Sequence, residues 1–254
     1  MNIELKLTEP IEKNAARYFE KAKTLRKKIE GVKATIIRAQ HELTALKPRE
    51  EKTKITRVQR EKEWYEKFRW FHSSEGFLCI GGRDATTNEI IIKKNTKPED
   101  LVFHTEAPGS PFFVIQTKDK TPGEQTKKET AIATATYSRA WKLGLAYNDV
   151  FMVKPEQVTK QAQAGEYVPK GAFAITGKRT TYSVPLELAV GMMNDGKIMG
   201  GPITAIKHHC EKYVVLTRGK HKPSDIAKRI QKKINGEIDD IIRVLPAGEF
   251  SIAP

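Results

Sequence analysis

A chain of 254 residues with a formal charge of +14 and a sequence pI near 9.6 points to a polyanionic partner, nucleic acid first. Its length suits one substantial core with an extension, and no run approaches the roughly 18 consecutive apolar residues of a membrane span. The opening MNIELKLTEP lacks the basic start and apolar run of a signal peptide, and Cys79 and Cys210 offer neither disulfide framework nor metal-ligand spacing, so the expectation is a cytoplasmic protein with no metal and no cofactor.

From Ile11 the apolar residues recur in a four-three pattern, through Ala15, Tyr18, Ala22, Leu25, Ile29, Val32, Ile36, Ala39, Leu43 and Leu46. That spacing is a coiled-coil seam on one long helix. At about 1.5 Å per residue the helix would reach on the order of 55 Å, too long to be buried by a domain of this size. Pro48 interrupts it, and a charged stretch from Glu50 to Lys67, with Ile55 and Val58 as apolar contacts, could fold back on the first or leave the seam for another chain. Residues 10–63 hold 16 Lys and Arg against 8 Asp and Glu, a net +8.

The segment Trp64 to Lys94 is the most informative. Lys67 and Arg69 lie between Trp64, Tyr65, Phe68, Trp70 and Phe71, so cations for phosphate and rings for stacking share one run. Most of these rings are expected in the core, with one or two left for a ligand. A glycine-punctuated hairpin is expected next: Gly81 and Gly82 free the backbone for a tight turn, Arg83 beside them can fork onto phosphate, and Asp84 and Asn88 can bond a base edge or sugar.

Downstream the texture is that of short strands, at Phe77–Ile80, Glu89–Lys93, Leu101–His104 and Phe112–Thr117. Thr121-Pro122 predicts a helix to about Leu143. Further strands are expected near Val150–Val153, Ala172–Thr176, Leu186–Met193, Lys197–Met199 and Tyr213–Thr217. A last helix is capped by Ser224, with Ile226, Ile230 and Ile234 inward and Lys228, Arg229, Lys232 and Lys233 on the other side. The pattern is α+β: a coiled-coil helical arm over 1–63, a mainly antiparallel sheet domain with helices over 64–182, and an α+β extension over 183–254.

The residues WYEKFRWF, GGRD (Gly81 to Asp84), Asn88-Glu89 and the lone His104 resemble the opening of the NFACT-R domain of ribosome-associated quality control proteins. The resemblance continues through YSRAW (Tyr137 to Trp141), GEY (Gly165 to Tyr167) and GAFAITGKR (Gly171 to Arg179), covering about half the chain in order. Asn14 to Gly31 is similar to the coiled-coil arm that precedes that domain, and GGPITAIK (Gly200 to Lys207) to an archaeal-type extension. The eukaryotic form has an acidic residue and a second histidine after the first, where this chain reads HTEAPGS. The resemblance implies an RNA-binding adaptor. Because complete NFACT proteins also carry an NFACT-N domain and helix-hairpin-helix elements, tail elongation is not expected of this polypeptide alone.

The candidate RNA-binding residues are therefore Trp64, Lys67, Arg69, Trp70, Gly81, Gly82, Arg83, Asp84, Asn88, Lys93, Lys94 and His104. Partners in this reading are ribosomal RNA on the large ribosomal subunit and tRNA, with an NFACT-N partner chain and coiled-coil self-association as further options. A second reading is a tRNA-binding accessory of a thiouridylation-type RNA-modification system. Arg83→Ala is expected to weaken binding while leaving the fold intact. No catalytic residue is assigned: a hydrolase built on Asp84, His104 and Glu106 is disfavoured, and no Walker, GxSxG or GxGxxG motif is present. His208, His209 and Cys210 are ligand types, but on a strand neighbours point to opposite faces, which argues against a shared ion.

Overall fold

A computed structural model describes residues 4–45, 61–107, 109–160 and 170–253. The chain divides into two compact units, 1–61 and 62–254. In the first, helix α1 (Ile11–Ala45) is continuous over 35 residues, as the seam predicts. Its start is held by Asn14, whose amide accepts from Lys6 N and donates to the carbonyls of Lys6, Glu9 and Pro10. Tyr18 does not stay in the seam: its hydroxyl donates to Glu4 O at 2.6 Å and accepts from Glu4 N. Leu25, Ile29, Val32 and Ile36 are exposed along the helix. Leu46, Pro48, Ile55, Val58 and the GEY motif lie outside the described residues.

The second unit begins with a single 3-10 turn, Trp64–Lys67, and then β1 (Arg69–His72) and β2 (Leu78–Gly81) form a hairpin. The helix α2 (Ala85–Lys94) follows, where a strand at Glu89–Lys93 was expected. The run Ile90-Ile91-Ile92 favours a strand locally, yet Asp84 caps the helix reciprocally with Thr87: Thr87 N donates to Asp84 Oδ1 at 2.8 Å and Asp84 N to Thr87 Oγ1 at 2.9 Å. Capping of this kind satisfies backbone donors that a strand would have to pair elsewhere. Gly81-Gly82 is thus a strand-to-helix turn, not the tip of a hairpin.

Next come β3 (Leu101–Thr105), β4 (Phe113–Gln116), α3 (Glu124–Thr136), α4 (Arg139–Leu143) and β5 (Tyr147–Val153). The expected single helix from Thr121 is two: α3 is capped by Gly123, and its first turn is held by the Glu75 carboxylate, which accepts from Thr126 N and Oγ1. Ser138 then caps α4, accepting from Ala140 N. Helix α3 is buried on nearly every side; its threonines are tolerated there because Thr130 and Thr134 bond the carbonyls one turn back.

The short β6 (Val158–Thr159) and β7 (Ala174–Ile175) pair with each other, and β8 (Thr180–Pro185), which the periodicity did not reveal, joins the main sheet beside β5. That sheet is antiparallel, in the order β1-β2-β4-β3-β5-β8. The remaining elements are β9 (Leu188–Met192), β10 (Ile198–Gly201), α5 (Ile203–His209), β11 (Lys212–His221), α6 (Pro223–Ile234), α7 (Ile238–Val244) and β12 (Phe250–Ile252). They build a second antiparallel sheet, β10-β9-β11-β12. One hydrophobic core runs from Tyr65 to Phe250 through both sheets.

The C-terminal helices depart from the sequence pattern at two places. His208 and His209 end helix α5 with Cys210 as its C-cap, so they are not on a strand; His209 Nε2 lies 2.8 Å from Ser73 O. Helix α6 starts one residue before Ser224, with Lys222 as N-cap and Pro223 in its first turn, the position where proline's missing N–H costs nothing.

Candidate nucleic-acid interface

The end of β2, the start of α2, the end of β3 and the segment leading into β7 converge on one cleft of about 490 Å³. Its lining includes Arg69, Gly82, Arg83, Asp84, Asn88 and His104 from the sequence-derived set, together with Tyr137, Phe151, Lys170, Phe173 and Arg179. The floor is aromatic. His104 stacks on Phe112 at 4.1 Å between centroids, Phe112 meets Phe173 edge-on at 5.3 Å, and Arg179 sits 4.8 Å over Phe151. Burial holds the His104 imidazole below its ordinary pKa, so the ring is neutral near pH 7.

Each polar group at the rim has a local reason to be there. Arg179 is exposed and pairs with Glu106 at 2.5 Å, and Lys170 is exposed near the Asp84 carboxylate, whose pKa is lowered mainly by the bond from Thr87 N. Glu89 accepts from Lys160 at 2.8 Å, Gly171 N at 3.1 Å and Lys93 at 3.2 Å. Those bonds, Lys160 foremost, bring its carboxyl down to about 2. Gly171 has φ +80°, and a Cβ there would come 2.4 Å from Ala85 Cα, so glycine is what allows this wall to close on α2.

The deepest cations serve the fold. Arg83 donates from Nε to Lys67 O at 3.1 Å, from Nη1 to Arg243 O at 2.6 Å and from Nη2 to Phe68 O at 2.8 Å. Arg69 lies 4.3 Å over the Tyr137 ring and donates to Leu245 O, while Tyr137 Oη donates to Val244 O at 2.8 Å. Three successive carbonyls at the end of α7 are thus capped by side chains from β1, the turn after β2 and the α3–α4 junction, satisfying acceptors that a helix C-terminus leaves open. Desolvation, reinforced by Arg69 and Arg243, lowers the Arg83 pKa to about 10, which still leaves it charged at neutral pH.

Several sequence-derived positions are elsewhere. Trp70 is buried and Gly81 packs against the Phe113 ring, so neither is presented to a ligand. Of the aromatic run only Trp64 is exposed, at 46 %. Lys67, Lys93 and Lys94 are exposed outside the cleft lining. Asn88 is buried in the cleft wall, accepting from Phe112 N. Sequence reasoning missed Lys170, Phe173 and Arg179, although the last two stand in the GAFAITGKR run that was singled out as a motif.

Residues 67–177 match the model of the NFACT protein RNA binding domain. The chain carries an NFACT-R domain. Across 203 residues it is 42% identical to the archaeal Rqc2 homolog aRqcH of Methanocaldococcus jannaschii, covering 77% of this chain and 30% of that protein. It is 34% identical over 189 residues to the human ribosome quality control complex subunit NEMF, covering 70% and 17%. The chain therefore spans less than a third of the length of these curated relatives. The C-terminal structure of the fibronectin/fibrinogen-binding protein from Streptococcus suis aligns with 72% of this chain and 77% of that one, at 20% identity and a TM-score of 0.40. The NFACT-R match covers the aromatic run from Lys67, both glycines, His104 and most of the cleft, and it stops before Arg179.

Proposed function

We propose that this protein is a non-enzymatic, RNA-binding adaptor of ribosome-associated quality control, working in the cytoplasm. Its NFACT-R cleft contacts unpaired nucleotides, and its basic helical arm, pairing as a coiled coil, reaches the large ribosomal subunit. The observation that carries this reading is the cleft itself: the partly exposed rings of His104 and Phe173, seated on buried Phe112 and Phe151, and the cations Arg179 and Lys170 at the rim are the pairing of stacking and phosphate contacts that single-stranded RNA demands. The family match and the relatives named for ribosome quality control support the cellular setting.

The test is co-sedimentation with purified large subunits and with free tRNA, over roughly 50 to 200 mM salt, where binding through many phosphates falls steeply. Retention on subunits, enhanced by peptidyl-tRNA and reduced in Lys170→Ala/Arg179→Ala, is the expected result. Binding to tRNA with no subunit association would replace this reading with an accessory of tRNA modification. Binding to neither would refute both.

A further inference from the structure

We propose that the outer face of α6, with the adjoining exposed residues of β11, is a second RNA-binding surface, one that takes the phosphate backbone of duplex RNA. It lies outside the NFACT-R match, which ends at residue 177, and it is independent of the cleft.

Residues 212–233 carry eight Lys and Arg against a single acid, Asp225, a net +7. In the long arm, by contrast, acids are interspersed among the cations. The orientation of α6 is set by its burial: Ile226, Ala227, Ile230 and Ile234 are in the core, and at 100° per residue Lys228 and Lys232 then face away from it, with Arg229 and, further round, Lys233 on the flank. All four are exposed, as are Lys212, Arg218, Lys220 and Lys222. No ion pair among the described residues involves Lys228, Arg229 or Lys232. Lys228 and Lys232 are one turn apart, about 6 Å along the axis, so the ridge offers successive point charges rather than one focus.

The chemistry of the face selects the partner. A helix that binds lipid inserts an apolar side, but the apolar side of α6 is committed to the core. A single-strand site needs aromatic platforms, and α6 carries no aromatic side chain; exposed Tyr147 is near the β11 end of the surface, where Arg218 packs against Gly144, and not on the helix. What remains is cationic, free of aromatics and built on a rigid helix, which fits a paired, sequence-neutral phosphate backbone.

The experiment compares the full chain with the Lys228→Gln/Arg229→Gln/Lys232→Gln variant, binding a short blunt-ended RNA duplex and an unstructured single strand across a salt series. Glutamine keeps helix propensity close to that of lysine and arginine, and a melting curve checks the fold. The slope of log K against log salt for the duplex should fall by about 2 to 3, near one unit per lost phosphate contact, with roughly tenfold or greater loss of affinity. Single-strand binding should change far less, and Lys228→Arg/Lys232→Arg should retain the duplex slope. If the triple variant melts early, the three single substitutions carry the test, each expected to remove about one unit of slope. An unchanged duplex slope overturns the proposal. So does a face that prefers polyaspartate or anionic vesicles to the duplex. Failure here leaves the cleft reading standing, because that reading is scored on subunit retention and its reduction in Lys170→Ala/Arg179→Ala, which leave α6 intact.

Discussion

Removing the Arg83 side chain takes away three hydrogen bonds that tie the turn after β2 to the carbonyls of Lys67, Phe68 and Arg243. A bond from a charged donor contributes about 1.5–3 kcal/mol, but the bonds to Lys67 and Arg243 are exposed and water can replace the donor there. The Phe68 carbonyl is partly buried and would be left without it. Weighing one full bond and two screened ones, Arg83→Ala should cost about 2–4 kcal/mol. In a unit of this size each kcal/mol moves the melting temperature by about 2–4 °C, so the midpoint should drop by roughly 5–15 °C. Arg83→Lys, with one ammonium in place of a planar fork, should recover only part of this. Amide exchange at the end of α7 should rise in both variants, because Arg243 O loses its cap. Differential scanning calorimetry and hydrogen exchange read the two effects. A variant that melts within about 1 °C of the parent yet loses RNA affinity would refute this reasoning and restore Arg83 to the role of a free phosphate fork.

Gly171→Ala should lower stability by about 1–3 kcal/mol and weaken single-stranded RNA binding, since its Cβ would push the Ala85 backbone away from the cleft wall; a melt and a filter-binding titration check it. His104 and His72 both titrate below their ordinary 6.5 in the fold, chiefly through burial. The unfolded chain therefore binds more protons below about pH 6.5, and urea midpoints should be highest above that pH and fall as pH drops through it; the fall should be smaller in His72→Gln/His104→Gln. For Glu89 the depressed pKa puts its contribution fully in place above the ordinary 4.5 and removes it only as pH falls through about 2. Glu89→Gln should accordingly raise exchange at the Gly171 amide at neutral pH, and an unchanged amide would show that the carboxylate does not hold this wall.

Much of the fold could be read from short-range patterns. The four-three series of α1 and the Ile226-Ile230-Ile234 spacing of α6 were visible as helical periods, and most strands of both sheets as short apolar runs between glycines and charges, several of them buried on both faces. The expectation that most of the aromatic run packs inside also holds: Tyr65, Phe68, Trp70 and Phe71 are in the core. Misreadings fell where a single polar contact outweighs the pattern. Asp84 and Thr87 turn an isoleucine-rich strand candidate into α2, Glu75 fixes the start of the next helix and Ser138 divides it, and β8 carries too weak an alternation to stand out.

The candidate site divides along the same line. Residue type and order alone determined that aromatic rings and cations are concentrated after Trp64, that a glycine pair leads to Arg83, and that the chain resembles NFACT-R. Which of those groups face a ligand is a matter of long-range contact, set by backbone acceptors distant in sequence. Nothing near Arg83 in the chain announces the carbonyl of Arg243, 160 residues on, nor that Arg179 completes the cleft beside His104. A buried carbonyl without a donor costs as much as a lost hydrogen bond, so the folded chain draws Arg69 and Tyr137 to the Leu245 and Val244 carbonyls and Arg83 to that of Phe68, and leaves the rim to Lys170 and Arg179.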